Sequence, residues 1–201
     1  ARINETDRTA TFNNASWYQR FNRRLSKEHI EALKPWAKET PMKPSAQASG
    51  YSAHRACLVE AHMHGRLATT IEDILLRTLF AMSVKRANVN VLEIGALFGI
   101  SAGIMYDAMA PHYKNVHMTL IDPLDGYYET ARLDILTGQP ISEKTLRQNV
   151  AHVGLNDENL TIIKHLSTDD EAIELASARQ YDVIVIDGDH SYDGVEADFD
   201  L

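Results

Sequence analysis

"VLEIGALFGIS", residues 91–101, runs apolar and then bends into glycines, with one carboxylate, Glu93, set inside the apolar run. A strand buried on both faces of a parallel sheet reads as near-continuous Val, Ile and Leu. Residues 89–94 fit that description except at Glu93. Glycine tolerates a tight turn and lets backbone approach a ligand closely. Gly95 and Gly99 therefore mark the bend where a strand gives way to a helix over residues 100–110. A carboxylate at that bend needs polar company, because an unpaired buried charge is costly.

The same pattern repeats towards the C-terminus. "VHMTLID" (116–122), "LTIIKHL" (160–166) and "YDVIVID" (181–187) read as further strands. Between them, residues 142–153 read as a helix capped by Ser142 and stopped by Gly154. Thr168 and Glu171 make a capping box for a helix through about 178, and Ser191 caps a last helix with Val195 and Phe199 on its apolar face. Before the first strand, Ile71, Ile74, Leu75, Thr78, Leu79 and Met82 recur at helical spacing, and Thr70 with Asp73 approximates another capping box. Strand–helix alternation with apolar strands implies an α/β domain: a Rossmann-like, doubly wound, mainly parallel sheet with helices on both faces. The reading assigns residues 67–201 to this domain and 1–66 to an N-terminal extension of helix and loop. In the extension, Ser26 caps a helix reaching towards Pro35, and "TPMKPSAQASG" (40–50) reads as a loop. After "EADFDL" (196–201) this design runs into a fifth strand. The reading therefore expects a C-terminally incomplete catalytic unit, or a partner segment covering the edge of the fourth strand.

Composition narrows the function. A net charge of −8 argues against a nucleic-acid partner, since phosphate binding needs clustered Lys and Arg, and "RFNRR" (20–24) is too short a patch. The single cysteine, Cys57, excludes an internal disulfide and fits a reducing compartment. With no signal peptide and no long apolar run, no membrane partner is expected, and the reading is a cytoplasmic protein. A homo-oligomer stays open. His54, His62 and His64 match no common zinc spacing.

In open α/β sheets ligands bind beyond the carboxyl ends of the strands, where strand order reverses. Three strand ends here carry acids: Glu93 beside Gly95, Asp122 and Asp187. Asp122 is placed to accept hydrogen bonds from the two ribose hydroxyls of a nucleoside. A dinucleotide would want G-x-G-x-x-G to cradle its pyrophosphate. The spacing here is Gly95-x-x-x-Gly99, with Ala96 following the first glycine, so that fingerprint fails. S-adenosylmethionine has no pyrophosphate. Its sulfonium suits nearby carboxylates, and the amides from Gly99 to Ser101 can meet its methionine carboxylate. A carboxylate satisfied within a merely structural turn is the bland alternative for Glu93.

At this point the chain resembles the class I S-adenosylmethionine-dependent methyltransferases. "VLEIGALFGIS" is similar to their first motif and "LIDP" (120–123), with Asp122 and Pro123, to their second. "LSTDDEAIELA" (166–176) is similar to their adenine-side loop, which implicates Ser167 and Thr168. Further on, "IDGDHSYDGV" (186–195) resembles the metal-dependent sugar O-methyltransferases of macrolide and aminocoumarin biosynthesis. That resemblance implies that Asp187 is a cofactor-site and catalytic residue and a metal ligand, with Mg²⁺ assisting, and that His190 is the catalytic base. A histidine suits proton removal from a hydroxyl near neutral pH. Asp189 is left between a supporting role and a solvated one. The long link over residues 123–159 offers Tyr127, Tyr128 and Arg132 as substrate-facing candidates, aromatic rings stacking on sugars and Arg clamping anions. The expected function is methyl transfer to a hydroxyl of a small acceptor, a sugar or glycosylated natural product preferred. The rival is a non-catalytic nucleoside-binding or interaction domain with the same fold.

Overall fold

The computed structural model describes residues 26–37, 46–124, 132–134 and 136–201. Among these residues three helices precede the sheet: α1 (Lys27–Ala37), α2 (Ala46–Glu60) and α3 (Ile71–Ala81). Then strand and helix alternate as β1 (Asn88–Ile94), α4 (Ile100–Met109), β2 (Asn115–Ile121), α5 (Glu143–Ala151), β3 (Leu160–Ile163), α6 (Asp170–Ser177), β4 (Val183–Ile186) and α7 (Tyr192–Phe199). All pairings among the four strands are parallel, in the order β3-β2-β1-β4. The order reverses between β1 and β4. This is the Rossmann-like architecture that the alternation implied.

Both faces of the sheet are covered, which explains the apolar strands. On one face Val91, Met118 and Leu120 pack with Ile74 of α3, Met105 of α4 and Leu146 of α5. On the other, Leu92, Ile94, Ile121 and Ile163 pack with Ala172 and Ala176 of α6. The strand period of two puts Glu93 on the first of these faces, beneath α3. β4 forms an edge of the described sheet, and Ile184 on it is 57% exposed.

Several caps are as read. Thr70 accepts from the Asp73 N–H, Ser142 from the Thr145 N–H, and Ser191 from the Gly194 N–H. Five details differ. Residues 46–50 are helical, not loop, because α2 packs its small residues Ala53, Ala56 and Cys57 into the core, and tertiary packing overrides weak propensity. α1 continues through Pro35 to Ala37. β3 ends at Ile163, whose carbonyl accepts the last rung from the Asp122 N–H at 3.1 Å, so residues 164–166 leave the sheet. The residue before α6 is Asp169 rather than Thr168, and its carboxylate turns back to accept from the Leu166 N–H. In α7, Val195 and Phe199 are exposed while Asp198 is buried.

Candidate active site

The site grows from the last rung of the sheet. The Asp122 N–H bonds to the Ile163 carbonyl, the Gly95 N–H to Ile121 at 2.9 Å, and the Asp187 N–H to Ile94 at 2.9 Å. Asp122, Gly95 and Asp187 thus stand side by side, each the first residue beyond its strand. Gly95 has φ +87°, and a Cβ there would lie 2.2 Å from the Asp187 carbonyl oxygen. No other residue fits that crossing point. Gly99, at φ +69° before α4, is closed in the same way by Leu146 and Val150. Leu97 and Leu124 hold φ of +47° and +53°, the left-handed region that non-glycine residues rarely adopt.

Asp122 fixes both strained residues. Its Oδ2 accepts from the Leu97 N–H at 2.6 Å and its Oδ1 from the Leu124 N–H at 2.8 Å. Burial pushes this carboxyl up, opposed by amide bonds from Leu97, Leu124 and Ala96. Glu93 is completely buried, and neither carboxylate oxygen has a hydrogen-bond partner among the described residues. Burial pushes its carboxyl up to about 7; Ser101 and the Arg77 guanidinium pull it down, and Asp187 and Asp122 add to the rise. The Ser101 hydroxyl is itself buried and makes no hydrogen bond of normal geometry. Two orphaned polar groups therefore lie beside the glycine bend.

The charge at the centre comes from Arg77 on α3. Its Nη1 donates to Asp187 Oδ2 at 2.9 Å and stands 3.8 Å from Glu93 Oε1, while Nη2 pairs with Asp73 one helical turn back. Burial would lower Arg77, but its bonds to Asp187 and Asp73 outweigh that and hold it above its ordinary value. The sequence reading missed Arg77. Its signal was a lone basic residue beside the apolar stripe of residues 71–82, four residues after Asp73.

Of the residues singled out from sequence, Glu93, Gly95, Ala96, Gly99, Ser101, Asp122, Pro123 and Asp187 gather at this strand-end bend. Ser167 reaches it through α7: its hydroxyl donates to buried Asp198, whose Oδ2 would lie 2.9 Å from a Cβ on Gly188. Asp198, also missed, reads as a solvated helix residue in sequence. Thr168 is exposed on the same loop. His190 is exposed three residues beyond Asp187. Asp189 is turned away, accepting from the Ser191 N–H at 2.8 Å and its hydroxyl at 2.9 Å, and these bonds hold its carboxyl below the usual range. Arg132 is exposed and bonds through its carbonyl to the Ile141 N–H. Tyr127 and Tyr128 lie outside the described residues.

The family description "Methyltransferase domain" matches residues 92–201, more than half of the chain and every strand end just described. The chain belongs to this methyltransferase family. It is an S-adenosylmethionine-dependent methyltransferase. No curated protein matches it. The residues present fit that cofactor: the glycine bend is a cradle that a Cβ would fill, and Glu93 and Ser101 offer orphaned polar atoms beside it. A divalent ion fits the described residues less well. The methyltransferase sets a guanidinium against Asp187, and among the described residues no group of three or more His, Cys, Asp or Glu side chains gathers as a metal site requires. No helix among the described residues is long and apolar enough to cross a membrane.

Proposed function

We propose that this methyltransferase methylates a hydroxyl of a small acceptor, a sugar or glycosylated natural product being the preferred class. The observation that carries the reading is the placement of His190. It stands exposed on the loop that leaves β4, three residues past Asp187, while its neighbour Asp189 is engaged with Ser191. An exposed imidazole on that loop supports a role in taking the proton from an acceptor hydroxyl.

When bound, S-adenosylmethionine supplies an electrophilic methyl on its sulfonium. Asp122 would take the ribose hydroxyls on the lone pairs that Leu97 and Leu124 leave free. The Gly95–Gly99 bend would admit the cofactor backbone closely, and the Ile100 and Ser101 amides would receive its carboxylate, since the Gly99 N–H is taken by the Ala96 carbonyl at 2.7 Å. Ser167, held by Asp198, and Thr168 would border the adenine. His190 would accept the proton of the acceptor hydroxyl as its oxygen takes the methyl, with S-adenosylhomocysteine as the other product. Alignment of the two reactants provides a large part of the rate, up to about 7–11 kcal/mol of the barrier in favourable cases.

Transfer of a labelled methyl group to a panel of sugars, glycosides, phenols and amines tests the reading. Label on sugar or glycoside oxygens is the expected result. Label only on amines would overturn the acceptor class. Tight S-adenosylhomocysteine binding without transfer to any acceptor would favour the non-catalytic rival.

A further inference from the structure

At Asp187 the sequence resemblance implies a metal, and the structure puts a side-chain cation. Arg77 comes from a helix outside the strand–loop motifs, 110 residues away in the chain. It is mostly buried, and it meets three carboxylates at once: Asp73, Glu93 and Asp187. A surface ion pair would mean little. This one is different, because Glu93 is wholly buried with no hydrogen bond to either oxygen among the described residues, and Arg77 stands 3.8 Å from its Oε1. A divalent ion on Asp187 would stand within a few ångströms of that guanidinium. In a site this sheltered, the repulsion between that guanidinium and a divalent ion offsets a large part of what one carboxylate contact returns.

We propose that Arg77 is the positioning residue of this site: its guanidinium anchors the Asp187 carboxylate beside the glycine bend, occupies the place a divalent cation would need, and so makes methyl transfer metal-independent. This deepens the methyltransferase reading and rests on it for the transfer step. The claim about cation binding does not need the cofactor. Arg77 touches neither reacting atom. It acts through Asp187, whose backbone carbonyl meets Gly95 and whose N–H closes the last rung to Ile94.

The test uses the whole chain in four forms: wild type, Arg77→Lys, Arg77→Met, and Arg77→Met with Glu93→Gln. The double variant removes the carboxylate that loss of Arg77 leaves stranded, so one Arg77-free form stays folded. Mn²⁺ binding is read by electron paramagnetic resonance without cofactor. Wild type and Arg77→Lys should bind Mn²⁺ only weakly, because both keep a cation at Asp187. An Arg77→Met form should bind it at least tenfold more tightly, and adding Asp187→Asn should erase that gain. A merely structural arginine would not produce this pattern. Tight Mn²⁺ binding by wild type that Asp187→Asn removes would overturn the proposal, as would no gain in either Arg77→Met form. In the transfer assay, wild-type turnover should be unchanged by EDTA, and activity lost to EDTA and restored by Mg²⁺ would also overturn it. Failure of every form to bind S-adenosylhomocysteine would count against the cofactor reading and leave the Mn²⁺ result standing.

Discussion

Asn149 grips the His64 peptide from both sides. Its side-chain oxygen accepts from the His64 N–H at 2.7 Å, and its amide donates to the His64 carbonyl at 2.8 Å and to the Phe98 carbonyl at 2.9 Å. One fully buried side chain on α5 thereby ties the segment before α3 to the glycine bend. The clamp is tight enough that a Cβ on Gly65 would meet the Phe98 ring at 2.6 Å. Asn149→Ala should destabilise the fold by about 2–4 kcal/mol, since three backbone groups lose their partner. Asn149→Asp should be at least as damaging at pH 7, because it turns an acceptor towards two carbonyl oxygens. Urea unfolding of the three proteins checks both.

Asp122→Ala should weaken S-adenosylhomocysteine binding by about 1.5–3 kcal/mol, the usual worth of hydrogen bonds to a charged group. It should also cost stability, because Leu97 and Leu124 lose the carboxylate that holds their left-handed backbone. Calorimetry separates the two effects. Unchanged affinity in a folded variant would remove Asp122 from the site.

Glu93 makes stability depend on pH. Its folded-state value is raised from 4.5 to about 7, so between those limits the folded protein holds a proton that the unfolded chain has released. Stability must then fall as pH rises through that window, and level off above it. Glu93→Gln should flatten the slope. Denaturant midpoints between pH 4.5 and 8 check this, and an identical slope in both proteins would contradict it.

His190→Ala should leave folding and cofactor affinity intact, because the side chain is exposed. Turnover should fall by roughly two to four orders of magnitude, the usual share of a general base. Wild-type turnover would reduce His190 to a loop residue.

Much of this was legible in the sequence for a simple reason. β1 and β2 are β-branched apolar runs with one acid or glycine at the carboxyl end, and local pattern suffices for such elements. The glycine bend with Asp122 and Asp187 was equally open, since chain order alone brings parallel strand ends together. α2 was not, because alanine, serine and glycine give no apolar stripe, and only contact with the core shows that Ala53 and Cys57 face inward. Arg77 and Asp198 were hidden for the same reason in reverse. Each is a charged residue on a helix, which reads as solvated until a distant strand end is placed against it.

The β3-β2-β1-β4 order has a consequence in time. β1, β2 and β3 can pair in the order they are made, but β4 must return to lie beside β1. Arg77 meets Asp187 only after 110 more residues have been synthesised, roughly 5–20 s at ordinary translation rates. Once Asp122 has been made, the growing chain carries the glycine bend and the ribose acid with no wall on the β4 side until Asp187 follows. Its buried glutamate and its arginine wait for the third charge. Docking of β4 completes the described four-strand sheet and brings Asp187 to Arg77.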